Sequence, residues 1–302
     1  MRLAAATDAE KRQRDAVTYP AWGQGLTLEQ FLAREVALRA HPFCREDMET
    51  WLWRGADGEV LSSCETFRLA SRVGAVEGES YSVASVYTEP ALRGRGHAGR
   101  MMRALVQALA RRPRAQASVL FSDVGAPLYE QAGYRAVDAF DLVLAPSPAP
   151  AAGVELLAEP LAAPPPLPVS PGALAVVPSA AELDWHLERE RFYARALGRP
   201  RPSACGAAVG ASRACWAVTY KSNELCVLWL ALADAAHATP LLQAARRAAH
   251  QAGVAQVRVW DSGALPPVPE ARRVPRDGEL PMYAPFVAGV EAWAGVQRGL
   301  WV

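Results

Sequence analysis

Apolar residues recur at helical spacing in two stretches of the first half of this chain. Residues 26–40 place most of their large apolar side chains on one face, which predicts an amphipathic helix. Thr27, followed three residues later by Gln30, forms a capping box at its start. A second helix begins at Ala98, carries apolar residues at every fourth position and is ended by Pro113.

Alternating apolar and polar residues predict strands around these helices. Residues 51–61 indicate a hairpin whose turn is the Asp-Gly pair at 57–58. Residues 80–88 are rich in Val and Tyr and are followed by Pro90, which ends the strand. The short apolar run 118–122 predicts a buried strand after the second helix.

A Pro- and Ala-rich stretch separates this half from a second one with a similar order of elements. Residues 146–171 are typical of a stiff connection between domains, and the residues after 260 form an irregular tail. No Arg/Gly turn precedes Pro240, so the second unit lacks the candidate site described below. The predicted elements are a helix at 181–197, strands at 214–220 and 224–232, a helix at 240–251 and a strand at 254–260.

The length of the chain predicts two domains. At 302 residues the chain exceeds the usual size of one domain. We expect an α/β fold with mixed sheets, divided into a first domain at 1–145, a linker at 146–172 and a second domain at 173–302.

Composition narrows the class of protein. The 32 basic and 31 acidic side chains leave a formal net charge of +1, which gives no general case for binding nucleic acid or membranes. The five cysteines are odd in number and lack CxxC spacing, which favours buried thiols over disulfides or a zinc site. No apolar run reaches the roughly 18 residues that span a bilayer, and residues 1–15 lack a signal-peptide core. We therefore expect a cytoplasmic protein without a metal.

The turn at 93–99 is the strongest candidate site in the chain. Its sequence RGRGHAG places backbone N–H groups at a helix start, where unsatisfied donors and the helix dipole favour an anion. A Rossmann fingerprint fits only with shifted glycine spacing, and the Gly-Lys-Ser/Thr of a P-loop is absent. A structural turn with two solvated arginines is another interpretation. A third pattern, Arg/Gln-x-x-Gly-x-Gly/Ala, fits at every defined position, with Arg93, Gly96 and Ala98.

That spacing resembles the cofactor motif of the GNAT superfamily of acyl-CoA-dependent N-acetyltransferases. Downstream, the sequence LYEQAGY at 128–134 resembles the second motif of the superfamily, and the likeness covers residues 25–145. It implies acetyl-CoA as co-substrate, with its pyrophosphate on the turn and its pantetheine arm paired with residues 86–88 like an added strand. The implied cofactor-binding residues are Val86, Tyr87, Thr88, Arg93, Gly94, Arg95, Gly96, His97, Ala98 and Gly99.

The resemblance also implies direct attack of an amine on the thioester, which calls for a general acid and a general base. Tyr129 lies where many of these enzymes keep a tyrosine near the thioester sulfur. A phenol with a pKa of about 10 would protonate a departing thiolate, whose thiol has a pKa of about 8.5; a core aromatic is the other interpretation. Glu65, Glu89 and Asp123 are the candidate bases. A water relay or a terminal carboxylate at Val302 are alternatives.

Several short sequence segments, spread along the chain, resemble a narrower family, the lysine N-acetyltransferases of the fungal type. They include LTLEQFLARE at 26–35, LSSCETFR at 61–68 and the ending LPMYAPF…W…GLWV. This resemblance implies acetylation of the side-chain amine of free L-lysine at the start of lysine catabolism, and a degenerate GNAT-like second domain at 173–302. Arg68 and Glu65 would hold the charged groups of the substrate. A protein or peptide N-acetyltransferase and a non-catalytic acyl-CoA-binding module are the alternative functions.

Overall fold

Two mixed β-sheets with helices on their faces make up the fold. The computed structural model describes residues 1–165, 167, 170–261, 265–276 and 278–302. Within these residues nine strands form the first sheet and seven form the second. Each sheet contains both parallel and antiparallel neighbours, which confirms the predicted mixed α/β class.

Helices and strands are mixed along the whole chain. The first part contains β1 (Arg2–Ala5), α1 (Asp8–Trp22), α2 (Leu28–Ala40), α3 (Pro42–Asp47), β2 (Met48–Arg54), β3 (Val60–Val73), β4 (Val76–Tyr87), α4 (His97–Leu109), β5 (Ala115–Ser122), α5 (Pro127–Glu130), β6 (Arg135–Ala136) and β7 (Phe140–Leu144). The remainder contains β8 (Glu155–Leu157), β9 (Ala173–Val177), α6 (Ala180–Leu197), β10 (Gly206–Val209), β11 (Ser212–Thr219), β12 (Glu224–Ala231), α7 (Ala238–Ala252), β13 (Gln256–Asp261), β14 (Arg272–Pro275), β15 (Leu280–Pro285) and β16 (Ala292–Ala294).

Both sheets are built around the same unit of strand, strand, helix and strand. The first sheet has the order β1-β2-β3-β4-β5-β15-β6, with β9 added on β3 and β16 on β9. The second has the order β14-β7-β13-β12-β11-β10-β8. In each unit the helix connects two parallel strands, β4 with β5 and β12 with β13. The repeat predicted from the sequence is therefore present in both halves.

Strands cross between the two halves of the chain. β15 inserts between β5 and β6, so that Met282 faces Leu120 on one side and Ala136 on the other. β7, in return, pairs with β13 in the second sheet. The prediction of an irregular tail is wrong, because β14, β15 and β16 lie there. Short strands that pair with distant residues carry little local signal, and two of these three contain proline.

The predicted division into 1–145, 146–172 and 173–302 stays a prediction. The pairing of the strands does not follow this division: β7 lies at the end of the predicted first domain, and among the described residues it pairs with strands of the second sheet. β8 lies inside the segment predicted as a linker.

Helix starts follow the capping chemistry of the sequence. The Thr27 side chain accepts from the Gln30 N–H at 3.2 Å, and the Gln30 side chain accepts from the Thr27 N–H at 2.9 Å, which confirms the capping box of α2. The same box, from Thr7 and Glu10, starts α1. The sequence pattern did not single out α1, which lacks a continuous apolar stripe.

Buried apolar side chains lie on both faces of the first sheet. One face is covered by α4, whose apolar stripe is fully excluded from water, as expected from its spacing. The opposite face meets the second half of the chain through Trp185, Trp260 and Trp293. All five cysteines are buried and outside disulfides, as predicted. Among the helices of the described residues, none has the length and apolarity to cross a membrane.

Candidate functional site

A cavity of about 420 Å³ lies between the two halves of the chain. Its walls come from α1, α2, β3 and β4 on one side, and from α6, the end of β11 and the last residues of the chain on the other. This volume falls in the range of small-molecule sites. Both halves are therefore needed to form the enclosure.

A bulge in β4 opens the first sheet at this cavity. Ser85 and Val86 together face the single residue Cys64 of β3, and Ser85 adopts a left-handed backbone with φ 54°. The pairing of β4 with β5 ends at Val83 opposite Leu120. Beyond that point β4 is no longer paired with β5, which leaves backbone donors and acceptors along β4 for an extended ligand.

The turn before α4 presents unsatisfied N–H groups to solvent. Gly94 and Gly96 have φ of 77° and 71°, a conformation that glycine adopts without steric cost. Gly96 is the N-cap residue and supplies no side-chain acceptor, and no acidic residue occupies the first turn of α4. Burial, with Arg100 and Arg95 nearby, lowers the pKa of His97, which favours its neutral form. The geometry is that of an anion site on a helix N-terminus.

Tyr129 lies on α5 with its ring buried and its side chain on the cavity wall. In the described part of the chain its hydroxyl has no hydrogen-bond partner, whereas the adjacent Tyr134 bonds to Ser118 at 2.6 Å. Burial raises the pKa of Tyr129, helped by Cys64 and Asp123. The phenol therefore stays protonated at neutral pH and has a proton to donate.

Glu65 lies on β3 next to the bulge and also lines the cavity. Burial raises the pKa of Glu65 to about 7; Glu35 adds to the increase, and a hydrogen bond from Ser85 and the charge of Arg39 oppose it. A carboxyl group with a pKa near 7 is matched to general base catalysis at neutral pH. The Glu65 side chain has no ion-pair partner among the described residues.

The other two candidate carboxylates have different surroundings. Glu89 pairs with Arg14 at 2.9 Å and does not line the cavity. Asp123 lines it but is exposed, and accepts a hydrogen bond from the Glu279 N–H at 3.2 Å. Val302 is buried and lines the cavity as well. The catalytic roles of all these residues stay predictions.

The predicted cofactor residues divide between the cavity and its outside. Val86, Tyr87 and Arg93 line it together with Glu65 and Tyr129, while Thr88 and the rest of the glycine turn do not. Arg68, expected to hold a charged group of the substrate, lies outside the cavity. It forms ion pairs with Asp47 and Glu79 instead.

Sequence reasoning missed the contribution of α6. This helix points Trp185, Arg189 and Tyr193 into the cavity, at intervals of four residues. A basic residue in the middle of an aromatic stripe was the available signal, because arginine on the core-facing side of a helix needs a reason to be there. In the described residues no group of three or more His, Cys, Asp or Glu side chains is arranged to hold a metal ion.

Comparison with known proteins places both halves of the chain in related families. Residues 32–137 match the family described as Acetyltransferase (GNAT) domain, and residues 154–274 match the LYC1 GNAT-like C-terminal domain. A protein of Yarrowia lipolytica described as a lysine acetyltransferase is 23% identical over 308 residues, covering 78% of this chain and 77% of that protein.

Solved structures show the same fold. The chain is similar to a probable N-acyltransferase of unknown function from Enterococcus faecalis, with a TM-score of 0.56 and 14% identity over 93% of this chain and 72% of that chain. It is also similar to a GCN5-related N-acetyltransferase from Kribbella flavida, with a TM-score of 0.53 and 14% identity over 93% of this chain and 70% of that chain. At this identity the likeness concerns the fold alone, and it agrees with the tandem arrangement of the two halves.

Proposed function

This chain is a GNAT N-acetyltransferase with a LYC1-like C-terminal part, and from that premise we propose that it acetylates the side-chain amine of free lysine or a similar small molecule. The acetyl donor in this proposal is acetyl-CoA. The reaction would then open the breakdown of lysine. The observation that carries the proposal is the charged cavity enclosed between the two halves.

The co-substrate would approach from the glycine turn towards the bulge in β4. The unsatisfied N–H groups of α4 suit the pyrophosphate of CoA. The unpaired edge of β4 beyond Val83 suits the amides of the pantetheine arm, because an extended ligand pairs there as an added strand. The thioester would then reach the cavity beside Tyr129.

Two side chains of the cavity suit the chemistry of direct transfer. The carboxylate of Glu65 takes a proton from the ammonium group of the acceptor, and the free amine attacks the thioester carbon. A C–N bond forms, the C–S bond breaks, and the sulfur leaves with the bonding electrons. The hydroxyl of Tyr129 gives its proton to that sulfur, so that CoA departs as a thiol, and the second proton lost by the attacking nitrogen returns to the Tyr129 oxygen.

The alternative functions fit the cavity less well. A protein acceptor needs an open groove, whereas α6 and the end of β11 cover this site. A silent CoA-binding module has no need of a carboxyl group whose pKa is raised to about 7 by burial beside a bulged strand.

CoA release in the presence of different amines tests the proposal. We expect kcat/KM for L-lysine to exceed that for a histone-tail peptide by at least about 100-fold, since only the small acceptor enters the enclosed site. Turnover of the peptide but not of lysine would establish the protein acceptor instead. Binding of acetyl-CoA without turnover of any amine would leave the chain a binding module.

Gly96→Ala is expected to raise the KM for acetyl-CoA about 10-fold without changing the KM for the amine. A left-handed backbone costs a residue with a Cβ about 1–2 kcal/mol, and the turn relieves this strain by moving its N–H groups. The measurement is steady-state kinetics with each substrate varied in turn.

Gly74→Ala is the matched control for that variant. Gly74 lies at the exposed β3–β4 turn, has φ 59°, and an added Cβ there would meet no atom of the described residues within 4 Å. Both variants should lose similar thermal stability, and only Gly96→Ala should change the KM for acetyl-CoA. Equal KM effects would show that the turn does not hold the cofactor.

A further inference from the structure

The basic residues on the wall of the cavity fall into two groups. Apart from Arg93, which donates to the Thr88 carbonyl at 3.0 Å, those from the first half are neutralised: Arg14 pairs with Glu89 at 2.9 Å, and Arg39 pairs with Asp15 at 2.6 Å. Arg34 on α2 likewise pairs with Glu35. The basic residues contributed by the second half, namely Arg189, Lys221 and Arg298, have no carboxylate partner within the described residues.

Arg298 has structural contacts of its own. It is buried, donates a hydrogen bond to the Trp301 carbonyl at 3.1 Å, and stacks on the Trp301 ring at 3.6 Å. Arg189 instead makes no hydrogen bond or ion pair to any described residue. Its guanidinium carbon lies 5.0 Å from the Trp185 ring centroid and 5.8 Å from that of Trp301. The two rings orient the guanidinium group and leave its donors available.

We propose that Arg189, with Lys221 at the rim of the cavity, binds the carboxylate of a free amino-acid acceptor. This inference rests on the proposed function and specifies its substrate class: an α-amino acid with an amine on its side chain. Arg189 lies on α6 and Glu65 lies on β3, so the two ends of such a molecule would contact opposite halves of the chain.

The electrostatics favour an anion at this place. Burial, and then the charge of Arg34, lower the pKa of Arg189 to about 10. Burial, and then the charges of Arg189 and Arg34, lower the pKa of Lys221. Like charges held together without a counter-ion are costly, and a bound carboxylate offsets that cost.

The same charges select among amines. A diamine would bring a second cation against Arg189 and Lys221, and is repelled. The lysine of a peptide chain has its carboxylate in an amide bond and offers no anion. The pyrophosphate of CoA has its own site at residues 93–99, most of which lie outside the cavity.

The test compares L-lysine with L-lysinamide, which differs only in lacking the carboxylate. Arg189→Met is expected to raise the KM for lysine about 10- to 100-fold, the cost of a lost charged hydrogen bond, and to change the KM for lysinamide less than 2-fold. Arg189→Lys should restore part of the lysine KM, because the charge remains. With each amine kcat should change little, since Arg189 binds the carboxylate and takes no part in the proton transfers.

Arg191→Met on the same helix is the matched control. Arg191 pairs with Asp184 and Glu188 outside the cavity, so its loss should affect stability and neither KM. An equal effect of Arg189→Met on lysine and lysinamide would overturn the inference, as would a wild-type protein that accepts both amines equally.

Calorimetry separates failure of this inference from failure of the proposed function. If no free amine is acetylated, the proposed function fails, and titration of wild type and Arg189→Met with lysine and lysinamide still decides the binding question. Tight binding of lysine that is lost in Arg189→Met supports the carboxylate site. Binding that is absent, or equal for both ligands and both proteins, excludes it.

Discussion

Glu65→Gln is expected to lower kcat about 10²- to 10⁴-fold and at the same time to raise the stability of the protein above neutral pH. The loss of rate is the usual contribution of a positioned general base. In wild type, kcat/KM should rise with pH, because the base must be ionised, and should level off above the Glu65 pKa of about 7. The variant should lack this dependence.

The stability effect follows from the direction of the pKa shift. Folding raises the Glu65 pKa from 4.5 to about 7, so the folded state binds the proton more tightly than the unfolded chain. The stability associated with that proton is fully present below pH 4.5 and is lost as the pH rises through about 7. Glutamine cannot ionise, so at pH 8 the variant avoids a cost of at most about 3 kcal/mol.

Thermal unfolding at pH 5 and pH 8, together with the pH profile of the rate, checks both parts. Glu77→Gln is the control, because Glu77 is an exposed carboxylate of β4 outside the cavity. It should alter neither rate nor stability. If Glu65→Gln keeps the wild-type rate, Glu65 is not the general base, and Asp123, a water relay or another group has that role.

Tyr129→Phe is expected to lower kcat about 10²-fold or more with little change in either KM. Removing the hydroxyl takes away the proton that the departing sulfur receives. Because this hydroxyl has no hydrogen-bond partner in the described part of the chain, the variant should keep the stability of wild type.

Tyr134→Phe provides the opposite pattern. The ring of Tyr134 packs edge-on against that of Tyr129, with 6.0 Å between the ring centroids, but the Tyr134 hydroxyl forms a hydrogen bond with the Ser118 hydroxyl in the core. Loss of this hydroxyl should lower the free energy of unfolding by about 1 kcal/mol and leave kcat within a few-fold of wild type. If Tyr129→Phe retains the wild-type rate across the pH range, Tyr129 is a core aromatic and not the general acid.

Local chemistry in the sequence was sufficient to predict the framework around the proposed cofactor site. The glycines before α4 and the apolar stripe of that helix act over a few residues, so their effect on backbone and packing is visible without knowledge of the fold. The capping box at Thr27 is a similar case. Strand β15 was missed because its partners, β5 and β6, lie more than a hundred residues earlier in the chain.

The candidate carboxylates illustrate the same limit. Glu65, Glu89 and Asp123 are equivalent when only their positions after or within strands are known. The fold gives Glu89 an arginine partner and leaves Asp123 exposed, while it places Glu65 in a cavity where burial raises its pKa to about 7. Desolvation and neighbouring charges are properties of the surroundings, and those come from distant parts of the chain.

The sequence by itself determined the type of enzyme, because the turn at 93–99 and Tyr129 belong to short contiguous motifs that resemble those of the GNAT superfamily. Only the tertiary structure formed the cavity in which we propose that an acceptor amine lies. The cavity is formed by helices and strands from both halves, and the contrast between paired arginines on one wall and Arg189 on the other exists only once those halves meet. Long-range packing determines which charges are neutralised, and the periodicity of residues along the chain does not predict these ion pairs.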